Sequence, residues 1–223
     1  MTSASVQRQI DRSAAALRDL VWPTIGGWVG GGDLIPVETV RESDFARILD
    51  TAGGIDAWQR YSNQRTGVEW IRGIASRVQF GDRDWSSHTV RYRLPSGNET
   101  ELHKRLRYNT GRGVIGPHLT IQAYVDDAGR LLSVGIARTV DLLDAVMTAH
   151  VGDGQCRESG HGCRPDCWPS RDSGGPVYTQ TNHADRKEFV VVEWRALAVV
   201  YDHFLIWPET HPLNQPRLPG MAA

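Results

Sequence analysis

Apolar side chains at Val6, Ile10, Ala14, Leu17 and Val21 recur every three or four positions and so share one side of a helical wheel. The spacing predicts an amphipathic helix over residues 4–21, closed by Pro23, which lacks the N–H that a continued ladder needs. Ile25-Gly-Gly-Trp-Val-Gly-Gly-Gly32 has the glycine content of a phosphate loop but neither its GK[ST] lysine nor a clear strand-to-helix frame, which predicts a flexible loop. A second helix is expected over 43–52, with Ser43 as N-cap, Phe45, Ile48 and Leu49 on one face, and Gly53-Gly54 as its stop. Beyond it the pattern turns to strands. Residues 55–61, 71–80 and 88–94 are rich in strand formers, and Pro95-Ser-Gly-Asn98 is turn chemistry. Residues 119–125 and 131–137 flank Asp126-Asp-Ala-Gly129, the strongest hairpin signal in the chain. Thr139 is placed to cap a helix reaching His150, with Asp141 in its first turn and Leu142, Leu143 and Val146 turned inward. Residues 189–207 are the most apolar stretch and are expected to hold at least one buried strand.

These elements specify a mixed α/β fold: a central mixed sheet with flanking helices and a Cys/His metal-type loop. The 223 residues suffice for one core, so residues 1–207 read as a single domain carrying the loop 150–168 as an insert, followed by a Pro-rich arm over 208–223. Composition adds little direction. The 25 basic and 26 acidic residues leave a net charge of -1, so any polyanion site must be a local patch. No stretch approaches 18 apolar residues and the start lacks the apolar core of a signal peptide, which together predict a cytoplasmic protein with no membrane partner.

All three cysteines fall in Cys156-Arg-Glu-Ser-Gly-His161-Gly-Cys163-Arg-Pro-Asp-Cys167. Cys156, His161, Cys163 and Cys167 make up the ligand set of a tetrahedral structural zinc, and Gly160, Gly162 and Pro165 suit a short loop wrapped round an ion. The C-x6-C-x3-C spacing is not a standard zinc-finger pattern; a disulfide with one free thiol and three unlinked thiols are the alternatives. His150 and Asp166 are reserve ligands.

Two short motifs are better read as structure. Asp172-Ser-Gly-Gly-Pro-Val177 is similar to the nucleophile segment of chymotrypsin-like proteases, yet His150 lies too close in sequence to serve as that fold's base, so a turn is expected. His118-Leu-Thr-Ile121 has the form used twice by two-histidine phosphoesterases; with no convincing second copy, it reads as a strand-edge histidine.

Gly54-Ile-Asp56-Ala-Trp-Gln59 followed by Gly73-Ile-Ala-Ser-Arg77-Val-Gln79 resembles the paired strands of PD-(D/E)XK nucleases over roughly residues 40–95. The resemblance implies DNA phosphodiester hydrolysis by a catalytic Mg²⁺ held by Asp56, with Glu42, Glu69 or Glu101 as co-ligands and Arg77 as the cation at the reacting phosphate. Arg77-Val-Gln79 reverses the charge and amide of the family's second motif and has no lysine. On the residues alone, Asp56 also reads as a turn cap and Arg77 and Gln79 as a solvated strand face. Arg91, Arg93, Lys104, Arg105, Arg107 and Arg112, interleaved with Tyr92, His103 and Tyr108, form either a DNA-backbone surface or a salt-bridged strand face shared with Glu99 and Glu101. A non-catalytic nucleic-acid-binding or assembly protein with a structural zinc is the alternative to the nuclease.

Overall fold

The computed structural model describes residues 3–37, 53–63, 65–96, 100–109, 116–150, 169–182 and 186–214, including their side chains except those of residues 3–7 and 107–109. The helix expected over 43–52 and the Cys/His loop both lie outside the described residues.

Helix α1 (Ser3–Ala16) does not stop at Pro23. It passes into a π-turn, Leu17–Val21, then one α-turn, Trp22–Ile25, and a 3-10 turn, Gly26–Val29. A proline inside a regular α-helix strikes the carbonyl four residues back and leaves it without a donor. The π-turn widens the helix just ahead of Pro23, with the Trp22 N–H bonded to the Leu17 carbonyl, while Thr24 Oγ1 donates to the Leu20 carbonyl at 2.9 Å. The glycine segment that follows is tied down rather than loose. Gly30, Gly31 and Gly32 take positive φ, a Cβ on Gly32 would stand 2.3 Å from the Arg60 carbonyl, and the Val29 and Gly31 carbonyls accept from Gln59, with Arg72 also donating to Val29.

Among the described residues nine strands form two sheets. The larger, mixed sheet has the order β1-β2-β3-β5-β6-β9, from β1 (Asp33–Pro36), β2 (Ala57–Asn63), β3 (Val68–Phe80), β5 (Leu119–Val125), β6 (Leu131–Arg138) and β9 (Leu205–Trp207). All its pairs are antiparallel except β3 with β5. The smaller sheet is antiparallel, β4 (Ser87–Arg93), β8 (Lys187–Glu193) and β7 (Val177–Asn182). Helices α2 (Glu101–Asn109), α3 (Thr139–Ala149) and α4 (Trp194–Val200) complete the fold. Strands β1 and β7, helix α2 and the second sheet go beyond the sequence pattern, and most of α2 falls in the run that read as a basic strand face.

Even-numbered positions of β3 (Ile74, Val78) and odd-numbered ones of β5 (Ile121, Ala123) pack beneath Leu17, Val21, Trp22 and Ile25 as the first core. Complete burial of each such aliphatic side chain stabilises by about 1.5–3 kcal/mol. A second core joins the smaller sheet to the inner faces of α2, α3 and α4, through Val90, Val190, Leu102, Leu142, Val146 and Leu197. Between them Trp194 lies against Gly135, where a Cβ would come within 2.4 Å of the indole.

Thr139 does not act as the cap of α3. Arg138 takes the cap position, while Thr139 is buried with its hydroxyl 3.0 Å from that of Thr120. Asp141 does sit in the first turn, where it accepts two 2.7 Å bonds from the Arg138 guanidinium. Of the expected arm, residues 208–214 are described: His211 packs on Trp194, and the Asn214 amide donates to the Ile206 carbonyl at 2.6 Å.

Candidate anion-binding cleft

Strand β3 outruns β2. Their pairing ends at Ala57 with Ile74, whereas β5 accompanies β3 as far as Phe80. Asp56 sits at the step, its N–H donating to the Ile74 carbonyl (2.9 Å) and its Oδ2 accepting the Ser76 N–H (2.6 Å). The odd-numbered side chains of the overhang, Arg77 and Gln79, stand on the sheet face opposite α1, beside Gln122 of β5 and beneath β4. A hydrogen-bonded row crosses this face. Arg77 donates to Thr89 Oγ1 (2.7 Å), Thr89 to Gln122 Oε1 (3.4 Å) and Gln122 to Gln79 Oε1 (3.1 Å).

Here a cleft of about 610 Å³ opens, lined by Asp56, Arg77, Gln79, Arg91, Lys104 and Arg105 among others. Glu101, the first residue of α2, lies among the guanidinium groups: Arg77 at 3.1 Å, Arg91 at 3.8 Å, and the Arg91 N–H at 3.3 Å. Burial opposes ionisation of Glu101, but Arg77, Arg105 and Arg91 outweigh it and hold the carboxyl down at about 2. Arg105, one helical turn on, is only 6% exposed. Its Nε and Nη1, and the Nε of Arg91, meet no hydrogen-bond acceptor among the described residues. Burial pulls the Arg105 guanidinium below its usual range, partly offset by the Glu101 and Asp56 carboxylates. Phe189 of β8 also lines the cleft, with the Arg77 and Arg91 guanidinium carbons 4.9 and 5.8 Å from its ring centre. The unmet donors on α2 and β4, with Arg77 of β3 beside them, are of the kind that pairs with an oxyanion.

No family model, curated protein or solved structure matches the chain. What can be said of its chemistry therefore comes from the residues themselves.

The cleft brings together Asp56, Arg77 and Gln79 of the nuclease-like set with Arg91, Lys104 and Arg105 of the basic set. Of the other candidates, the described Glu69 and Arg93 lie away from it. Glu69 lies at the far end of β3, roughly 25 Å from Arg77 at the usual rise per strand residue, where it accepts from Ser62 at 3.1 Å. Arg93 points to Glu188 (3.5 Å) and does not line the cleft. Arg107 lies within α2 with its side chain outside the description, and Glu42 and Arg112 lie outside the described residues, as do Cys156, His161, Cys163 and Cys167. Glu101, a candidate metal ligand in the sequence, is committed to arginines instead. Among the described residues no group of three His, Cys, Asp or Glu side chains converges. These donors do not by themselves fit a catalytic Mg²⁺, which is held through oxygen ligands. Sequence reasoning missed Gln122, Thr89 and Phe189. The signal for Gln122 was present: an amide in the middle of Leu-Thr-Ile-Gln-Ala-Tyr-Val, a strand buried along its whole length.

The protease-like segment forms an exposed 3-10 turn, Arg171–Ser173, with Ser173 Oγ donating to the Ser170 carbonyl at 2.6 Å. His118 is exposed at the start of β5. No helix among the described residues is long and apolar enough to cross a membrane.

Proposed function

We propose that this chain binds the phosphate backbone of a nucleic acid, DNA in the first instance, in the cleft between β3, β4 and α2. The observation that carries the reading is a cleft lined by Arg77, Arg91, Lys104 and Arg105, with donors of Arg91 and Arg105 unmet among the described residues. A net charge of -1 makes this a local attraction rather than a property of the whole surface. A cytoplasmic setting, in keeping with an odd number of cysteines gathered in one short segment, agrees with it. The test is fluorescence anisotropy with labelled DNA across a salt series. Affinity should fall steeply with salt, and Arg91→Glu with Lys104→Glu should weaken binding and flatten the slope, by about one unit for each phosphate no longer neutralised. No binding of single- or double-stranded nucleic acid at low salt overturns the reading.

One observation favours a second reading, Mg²⁺-dependent hydrolysis of the bound strand: Asp56, Arg77 and Gln79 line the cleft that holds the cations. It requires further oxygen ligands beyond Asp56, for which Glu42 is the sequence's candidate. Under this reading Mg²⁺ or Mn²⁺ elicits cleavage that Asp56→Asn abolishes. Binding without cleavage leaves the non-catalytic reading alone.

A further inference from the structure

We infer that the floor of this cleft is a seat for the terminal phosphate of a nucleic-acid strand, a phosphomonoester received by Arg105 and Arg91. The inference rests on the nucleic-acid reading above and narrows it to a strand end.

Depth is the first argument. A bridging phosphodiester carries a nucleoside on each side and must lie along an accessible surface, whereas a terminal phosphate has one attachment and can enter end-on. Arg105 is 6% exposed, yet it lines the cleft with Nε and Nη1 unmet among the described residues. Nε of Arg91, on the neighbouring strand β4, is unmet as well. Unpaired buried donors of a charged group are costly, and an oxyanion with three free oxygens satisfies more of them than the two of a diester.

Charge is the second. Arg77, Arg91, Lys104, Arg105 and Lys187 line the cleft against Glu101 and Asp56, an excess of three positive charges among the lining residues. A phosphomonoester carries about -1.5 to -2 at neutral pH. A diester supplies only one negative charge. Glu101 itself demonstrates the geometry on a smaller scale, for its carboxylate already draws Arg77 and Arg91 to 3.1 and 3.8 Å and so orients them before any ligand arrives. The volume of about 610 Å³ falls in the range of pockets that enclose molecules of drug size.

The experiment compares one short single-stranded DNA in three forms: 5′-phosphorylated, 3′-phosphorylated and without a terminal phosphate, each labelled away from the end in question. One of the phosphorylated forms should bind on the order of tenfold tighter than the bare strand. Inorganic phosphate should compete away that increment. Arg105→Gln should erase it, so that the three strands bind alike, and Arg91→Gln should reduce it. Should Arg105→Gln fail to fold by circular dichroism, Arg105→Lys, which keeps the charge but loses the planar donor set, and Arg91→Gln carry the test. Equal, salt-dependent binding of all three strands to the native protein overturns the terminal-phosphate seat while leaving backbone binding intact. No binding of any strand overturns the broader reading.

Discussion

His88 lies in β4 with its ring 6.1 Å from that of Trp194 and 5.9 Å from that of Phe204, 1% exposed, and neither nitrogen meets a partner among the described residues. Burial first, and then the charge of Arg105, push its pKa down from 6.5 to about 3. A lowered histidine pKa means that the unfolded chain takes up the proton first as the pH falls. The native state therefore keeps its full stability above about pH 6.5 and loses it progressively toward pH 3. Glu101 works in a separate window. Its carboxyl is depressed from 4.5 to about 2, so its contribution is present above about pH 4.5 and lost only below. Between pH 6.5 and 4.5 the contribution of His88 changes while that of Glu101 does not. Thermal melts should show a Tm that falls across this interval in the native protein and a shallower fall in His88→Leu. Because the variant also removes two unmet polar atoms from the core, it should melt no lower than the native protein at pH 7. Parallel pH profiles for the two proteins would refute this account of His88.

At the scale of elements, the cleft depends on β4 lying against β3 and β5, and Tyr124 is one hydrogen-bonded tie between the two sheets, beside the bonds of Thr89 to Arg77 and Gln122. Its hydroxyl donates to the Ser87 carbonyl at 2.7 Å and lies 3.2 Å from Ser87 Oγ, and burial raises its pKa to about 12. Tyr124→Phe keeps the ring against Trp194 but leaves the Ser87 groups without that partner. Urea unfolding should show a loss of about 1–3 kcal/mol, and an unchanged midpoint would mean that the Tyr124 hydroxyl does not help to join the sheets. The hairpin at Asp126 and the two strands beside it were legible because turn chemistry and strand formers are local signals. Helix α2 was not. Glu101–Asn109 is dominated by polar and charged side chains, and its aliphatic Leu102 and Leu106 are too few to set a period. Its position is fixed by Leu102 in the second core and by the attraction of Glu101 for Arg77 and Arg91.

For the whole molecule, the Cys/His loop stays a proposal drawn from residue chemistry: Cys156, His161, Cys163 and Cys167 as ligands of a structural zinc. Elemental analysis after extensive dialysis should find about one zinc per chain. Cys163→Ser should lower both metal content and Tm, while a zinc-free protein with three freely titrating thiols would dispose of the site. By itself the sequence determined the α/β character, the amphipathic first helix, five of the strands and the cation-rich run, because each is written in a local period or a local composition. Only the tertiary structure decided that the strands divide between two sheets, that β3 pairs in parallel with β5, and that β4, in the other sheet, bonds to both through Thr89. Arg77, Arg91 and Arg105 reach one cleft by that arrangement alone, while Arg93, two residues from Arg91, turns to Glu188. The reason is physical: a hydrophobic period fixes which face of an element is buried, but the partner of that face is chosen by packing among all the elements at once.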